Sequence, residues 1–302
     1  MDSVREQFLL LISTPLYVGV ILLEMVLSHY RHRNAYTVRD TLTNLYFMIL
    51  NGGIDLLFRA VYVVVFQIFY TYKVFTIESQ FWYWFCLIVG MDFLYYWLHR
   101  VDHFCRFFWA VHVTHHSSPK FNLTTGLRSS VFQPLYRFIY FIPLALLGFE
   151  PLDIVFIFSA TQIWGILVHT EFIHKMGWLE YVLVTPSHHR VHHAYNPLYL
   201  DRNMGMFLII WDMMFGTFQK ELPPEEYPAI NYGLSTPIEK PDAFNIVFHE
   251  WKNILQDLRR KVSLKAKFMY VFGPPGWSHD GSRQTSNMLR NQETMERKGK
   301  VS

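Results

Sequence analysis

The feature that most restricts this chain is a series of apolar segments long enough to cross a lipid bilayer. Residues 8–27 read FLLLISTPLYVGVILLEMVL, with Glu24 as the one charged side chain. About 20 consecutive apolar residues span the hydrocarbon core as a helix. In lipid the backbone must satisfy its own hydrogen bonds, and segments of this length do so as helices. A second stretch runs from Leu42 to Tyr70 with Asn51-Gly52-Gly53 inside it, and reads as one kinked span or a short hairpin. Residues 80–98 form a third span that ends at His99. Residues 131–148 and 152–171 form a fourth and a fifth, joined by Gly148-Phe149-Glu150-Pro151, a joint that fits only a tight helical hairpin. With 42–70 crossing once, the expected count is five. The first segment does not read as a cleaved signal, because its positive n-region is weak and no small-residue cleavage site follows.

Composition agrees. The chain is 51% hydrophobic and 17% charged, against about a quarter charged in soluble domains. This excludes a disordered or fibrous chain. Two cysteines exclude a disulfide scaffold and a cysteine-ligated zinc or iron–sulfur centre. A net charge of +3 gives no case for nucleic acid as a partner. Arg31, Arg33 and Arg39 follow the first span; Arg100, Arg106, Lys120 and Arg128 follow the third; Lys175 and Arg190 follow the fifth. The opposite loops carry only Lys73. The positive-inside rule therefore puts the basic loops in the cytoplasm. Asp55 and Arg59 lie four apart and read as a structural pair on one helix face. Residues 243–270 read as an amphipathic surface helix, and 278–302 as a disordered polar tail.

Eleven of the fifteen histidines fall within 99–116 and 169–193. They form four groupings: His99 and His103; His112, His115 and His116; His169 and His174; His188, His189, His192 and His193. On a helix, positions three or four apart share a face, so each triplet is able to aim at one point. Neutral imidazole is the commonest nitrogen ligand for zinc, copper, iron and nickel. Two triplets and a pair exceed the ordinary coordination number of one ion, so two metal ions fit better. There is no HExxH, and Asp102 and Glu171 are the only carboxylates within the clusters. Three readings stay open on these residues: an oxygen-activating pair of irons, a zinc-dependent membrane hydrolase, and a metal carrier without chemistry. The isolated His29, His32, His249 and His279 read as interfacial polar residues.

The boxes HRVDH, HVTHHS and HRVHH, with Trp109 just before the second, resemble the fatty acid hydroxylase/sterol desaturase superfamily of membrane di-iron oxygenases. The match runs from about Asp92 to Phe218. Finer detail resembles its alkylglycerol monooxygenase-like branch: His112–Ser130, His169-Thr170-Glu171, Thr185–His193, Asp201-Arg202-Asn203 and Ile209–Phe218. The resemblance implies His99, His103, His112, His115, His116, His189, His192 and His193 as iron ligands, with His169 first and His174 second as contributors from the remaining cluster. His188, Asn122, Arg128, Glu171, Arg190 and Asn203 are expected around them, and Arg128, Arg190 and Asn203, close to the boxes in the sequence, read as orienting imidazoles or holding a lipid headgroup. The resemblance also implies two iron ions, O2, a lipid substrate from the bilayer, and an electron donor that is a tetrahydropterin or a reductase chain. The branch cleaves ether lipids by hydroxylating the carbon next to the ether oxygen; sterol or fatty acyl hydroxylation and desaturation use the same ligand set. The expected fold is an all-α, multi-pass membrane bundle with a cytoplasmic, histidine-rich di-metal cap. Residues 1–78 supply N-terminal spans, 79–219 the di-iron hydroxylase domain, and 220–302 a cytoplasmic C-terminal segment.

Overall fold

The computed structural model of the chain describes residues 2–301. Those residues are helical, with two isolated bridge pairs and no strand. Three helices are long and apolar enough to cross a membrane: α1 (Asp2–Tyr30), α2 (Val38–Tyr70) and α3 (Gln80–Phe104). The α2 helix runs unbroken through Asn51-Gly52-Gly53, so the stretch that read as a span or a hairpin is one helix. Asn51 turns inward and its Nδ2 donates to the Ser130 carbonyl at 2.7 Å. The α1 and α2 helices leave Leu11, Ile12, Leu22, Leu23, Leu56 and Leu57 exposed. An apolar surface of that kind is what lipid covers.

The chain turns sharply at Cys105 into α4 (Arg106–His116), then passes through the short α5 (Leu123–Leu127). The expected fourth and fifth spans are shorter than the sequence suggested: α6 is Arg137–Leu146 and α7 is Pro151–Leu167. A proline accompanies the late start of α6, since it removes a backbone donor. Pro134 sits in a 3-10 turn before α6, and Pro143 lies within it. The hairpin still reaches the far end of the bundle, where Val74 N donates to Leu146 O at 2.8 Å and Glu150 N to the Tyr83 hydroxyl at 2.8 Å. Its turn needs Gly148: φ is +102°, and a Cβ there would sit 2.3 Å from Phe75 O. Leu87, Met91 and Leu98 of α3 pack with Phe141, Leu144 and Ile154 of this hairpin to form the core.

Acidic side chains within the bundle are ion-paired or hydrogen-bonded, as low dielectric demands. Asp55 accepts from Arg59 at 2.9 Å and also from Arg137. Glu24 accepts from Leu123 N at 2.9 Å and from the hydroxyls of Tyr36 and Thr170. It thereby ties α1 to α5 and to the segment after α7.

The remaining helices are α8 (Pro186–His192), α9 (Ile210–Phe215), α10 (Ala243–Leu258), α11 (Leu264–Phe272) and α12 (Ser286–Val301). Two expectations change here. The amphipathic segment is two helices, broken at 259–263, and much of the supposedly disordered tail is the helix α12. Tertiary contacts order that tail. Tyr227 donates to Glu293 Oε2 at 2.8 Å, and Arg297 donates to Glu226 O at 2.9 Å while covering the Tyr227 ring. Buried Arg106 joins α4 to α10 through Glu250 at 2.6 Å and Asp257 at 2.8 Å.

Candidate metal centre

One end of the bundle collects the histidines. His99 and His103 lie in the last turns of α3, His112, His115 and His116 on α4, His169 just past α7, and His189, His192 and His193 on α8 and its C-cap. They form two groups. His99, His103, His112, His116 and His192 make one, and His115, His169, His189 and His193 the other. In each group, one ring nitrogen per residue lies within 4.8 Å of all the others.

The triplets therefore do not aim at single points. His112 and His116, four apart, enter the first group while His115 enters the second. His189 and His193, also four apart, enter the second group while His192 enters the first. Helix geometry explains the split, because positions four apart differ by ~40° in direction, whereas the intervening residue points ~60° to the other side. His174 joins neither group: its side chain is exposed, and only its carbonyl is used, accepting from Arg190 Nη2 at 2.8 Å. Because α7 ends at Leu167, spacing on a helix does not govern residues 169–174.

For five of these histidines the protein holds the second ring nitrogen. Nδ1 of His99 donates to Met204 O at 2.8 Å, that of His192 to Arg202 O at 2.9 Å, and His103 Nδ1 contacts Asp201 Oδ1 at 3.2 Å. One segment, 201–204, thus orients three imidazoles of the first group. It adopts left-handed backbone at Asp201 and Asn203, with φ of 51° and 55°. Buried Asp212 braces it by accepting from Met204 N at 2.6 Å and Gly205 N at 2.8 Å. In the second group, His115 Nδ1 donates to Arg128 O at 2.8 Å and His169 Nδ1 to Gly165 O at 2.7 Å. Gly126 permits the close approach of α5, since a Cβ there would lie 2.9 Å from His169 Nδ1. Sequence reasoning passed over Gly126, Asp212 and Asp201 as individual residues, and backbone carbonyls carry no sequence signal. Asp201→Ala is expected to weaken metal affinity by roughly 10- to 100-fold, the usual cost of losing a partner of a ligating histidine. Metal titration of the purified variant checks this; unchanged affinity would remove Asp201 from the site.

The other expected residues form the frame. Fully buried Arg128 spends its guanidinium on Thr114 O at 2.8 Å, Ser117 Oγ at 2.7 Å, Asn44 at 3.0 Å and Asp40 at 3.3 Å. Arg190 pairs with Glu221 at 2.7 Å and donates to the carbonyls of Thr170, Ile173 and His174. Neither guanidinium is open to a lipid headgroup, which corrects that expectation. Asn122 caps α5 by accepting from Thr124 N and Thr125 N. Asn203 donates to His188 O at 3.0 Å and Gln219 O at 2.7 Å. His188 caps α8 through Thr185, and Glu171 is half-buried, its carbonyl accepting from Arg33.

Burial disfavours the charged form of most of these imidazoles. It pushes His115 and His188 down to about 4, and it holds His112, His116, His169, His189, His192 and His193 well below the ordinary histidine value. A neutral imidazole that donates through Nδ1 has only a lone pair at Nε2. His115 and His169 are both in that state, yet their Nε2 atoms stand 3.4 Å apart. The Nε2 atoms of His103 and His192 are buried with no hydrogen-bond partner. Facing lone pairs repel, and buried unpartnered polar atoms are costly, so this arrangement calls for cations. An all-imidazole donor set suits iron, zinc or copper.

Residues 84–217 match the fatty acid hydroxylase family. The chain is 35% identical over 269 residues to the alkylglycerol monooxygenase of Homo sapiens, covering 88% of this chain and 59% of the relative. It is 35% identical over 271 residues to that of Danio rerio, with the same coverage. A Delta(7)-sterol 5(6)-desaturase of Gibberella zeae is 29% identical over 136 residues, which is 42% of this chain and 39% of the relative. The chain spans about three-fifths of the length of the alkylglycerol monooxygenases it matches. No solved structure gives a significant match. The chain belongs to the fatty acid hydroxylase/sterol desaturase superfamily, in its alkylglycerol monooxygenase-like branch. It is a membrane protein of a lipid-oxidising enzyme family.

Proposed function

We propose that this chain is a membrane-bound di-iron oxygenase that hydroxylates a lipid C–H bond with O2, with an ether lipid as its first substrate class. The observation that carries the reading is the pair of buried imidazole groups, five and four, whose ring nitrogens converge. Two iron ions, when bound, supply the O2 activation that hydroxylation of an unactivated C–H bond requires. The first group would hold one ion and the second group the other. The carbonyls of Met204, Arg202, Arg128 and Gly165 keep Nε2 of their histidines deprotonated and directed inward. The rings of Trp109 and Phe121 pack on His103 and His169 at 5.2 and 5.4 Å and keep bulk water from those nitrogens.

Insertion of one oxygen atom into C–H reduces the other to water and consumes two electrons and two protons. A tetrahydropterin or a reductase chain is the proposed donor. Where the attacked carbon bears an ether oxygen, the product is a hemiacetal, which breaks into an aldehyde and a glycerol derivative. The names of the 35%-identical relatives favour this substrate over a sterol or acyl chain. Residues 79–219 carry the chemistry, between the N-terminal spans of 1–78 and the C-terminal segment 220–302.

Membranes containing the protein, given an alkylglycerol, O2 and either donor, are expected to release aldehyde only when O2 is present. If a hydroxylated acyl lipid or sterol accumulates instead, the ether assignment is wrong and the lipid hydroxylase reading stands. The histidine end is proposed to face the cytoplasm, where Lys and Arg concentrate. A reporter inserted after Ser118 or Asn196 is then expected to read as cytoplasmic, and a reading on the opposite side at either point overturns this orientation.

A further inference from the structure

The α10–α11 pair separates its charges. Its two carboxylates turn inward: Glu250 pairs with Arg106, and Asp257 pairs with Arg106, Arg260 and Arg283. Five basic side chains, Lys252, Arg259, Lys261, Lys265 and Lys267, have no carboxylate partner among the described residues. Between them stand exposed Phe244, Phe248 and Leu255 on one face of α10, and Leu264, Phe268 and Phe272 on one face of α11. Leu264 is 85% exposed and Phe244 70%, which water alone does not favour for a clustered set.

Both helices pack on Phe107 of α4. Phe272 stacks on Phe107 at 5.9 Å, and Phe107 takes Trp251 edge-on at 5.1 Å. Beneath its exposed stripe α10 is anchored on α2: Ile246 and Val247 cluster with buried Phe47, Phe132 packs against that cluster, and the Phe248 ring meets Phe132 at 5.9 Å. An apolar stripe flanked by unpaired cations, on a helix anchored to a membrane-facing one, is the pattern of an interfacial helix.

We infer that α10 and α11 lie in the headgroup layer of an anionic membrane, with the phenylalanine and leucine stripe inserted and the five cations over lipid phosphates. The inference rests on α1–α3 being membrane helices and is independent of the metal.

The test uses the full chain with Cys86→Ser and Cys105→Ser, carrying a nitroxide at Phe268→Cys, Leu57→Cys or Asn291→Cys. Each is reconstituted in phosphatidylcholine vesicles with and without phosphatidylserine. With phosphatidylserine, the label at 268 is expected to be open to O2 and shielded from a water-soluble nickel complex, like the label at 57 and unlike that at 291. Adding Lys252→Glu, Arg259→Glu and Lys265→Glu is expected to shift 268 toward water, about fivefold per cation lost, in phosphatidylserine vesicles only. Nickel access at 268 equal to that at 291 in both vesicles overturns the inference. So does shielding of 268 from both reagents, the signature of a second copy or another protein on this face. Equal shielding with and without phosphatidylserine overturns the anionic preference. Nickel access at 57 would overturn the membrane reading itself, and is distinguished by that label alone.

Discussion

Substituting His192 by alanine is expected to abolish lipid oxidation, a loss of more than ~100-fold, while the chain remains in the membrane. The Nε2 of His192 is buried without a protein partner, and its Nδ1 is fixed by Arg202 O at 2.9 Å. Removing a mere partner of a ligating histidine costs about 10- to 100-fold, so removal of a ligand sets that as a floor. His116→Ala is expected to behave in the same way, since its Nε2 stands 3.2 Å from that of His112 in the same group. Insertion depends on the apolar surfaces of α1–α3, which neither change touches. His174→Ala, His249→Ala and His279→Ala are the controls. His174 is outside both groups, His249 bonds its own helix at Asn245 O, and His279 bonds the Tyr270 hydroxyl. All three are expected to stay within a few-fold of the parent. Lipid-dependent O2 consumption by purified variants measures this, and near-parental turnover by His192→Ala would put the chemistry elsewhere.

The second large effect is on metal stoichiometry. The purified protein is expected to hold two ions per chain, and His169→Ala to reduce that toward one. Five and four nitrogen donors exceed what a single ion takes up, and His169 belongs only to the second group. Its Nε2 lies 2.9 Å from that of His189 and 3.1 Å from that of His193, so it is central to that group. His99→Ala is expected to remove the other ion, and the double variant both. Elemental analysis of each purified variant decides the point. One ion per chain in a fully active parent would contradict the two-site arrangement. Zinc recovered after overexpression would not, because imidazole sites take zinc readily.

Hydropathy and histidine spacing were legible without coordinates. Apolar runs of spanning length demand helices, because lipid offers the backbone no hydrogen-bond partner. The same physics made α2 continuous through its two glycines, where a soluble chain reads as broken. Dense histidines at helical spacing marked the site, and nine of the ten expected ligands stand in its two groups. Tertiary structure decided what spacing leaves open. Which imidazole serves which group depends on the angle at which α3, α4 and α8 meet, and that angle is set by long-range packing. The tautomers of His99, His192, His115 and His169 depend on the carbonyls of Met204, Arg202, Arg128 and Gly165, and every residue carries a carbonyl, so no letter in the sequence marks these four. Arg128 and Arg190 read as orienting imidazoles or holding a lipid headgroup until their partners from distant segments, Asp40, Asn44 and Glu221, were brought beside them. The polar tail looked disordered by composition, and Tyr227 and Glu226, far off in sequence, hold it as a helix. What the sequence determined by itself was local and periodic: three of the five expected spans, and a dense histidine cluster. What only the tertiary structure decided was the pairing of groups remote along the chain, because such pairing depends on how helices cross.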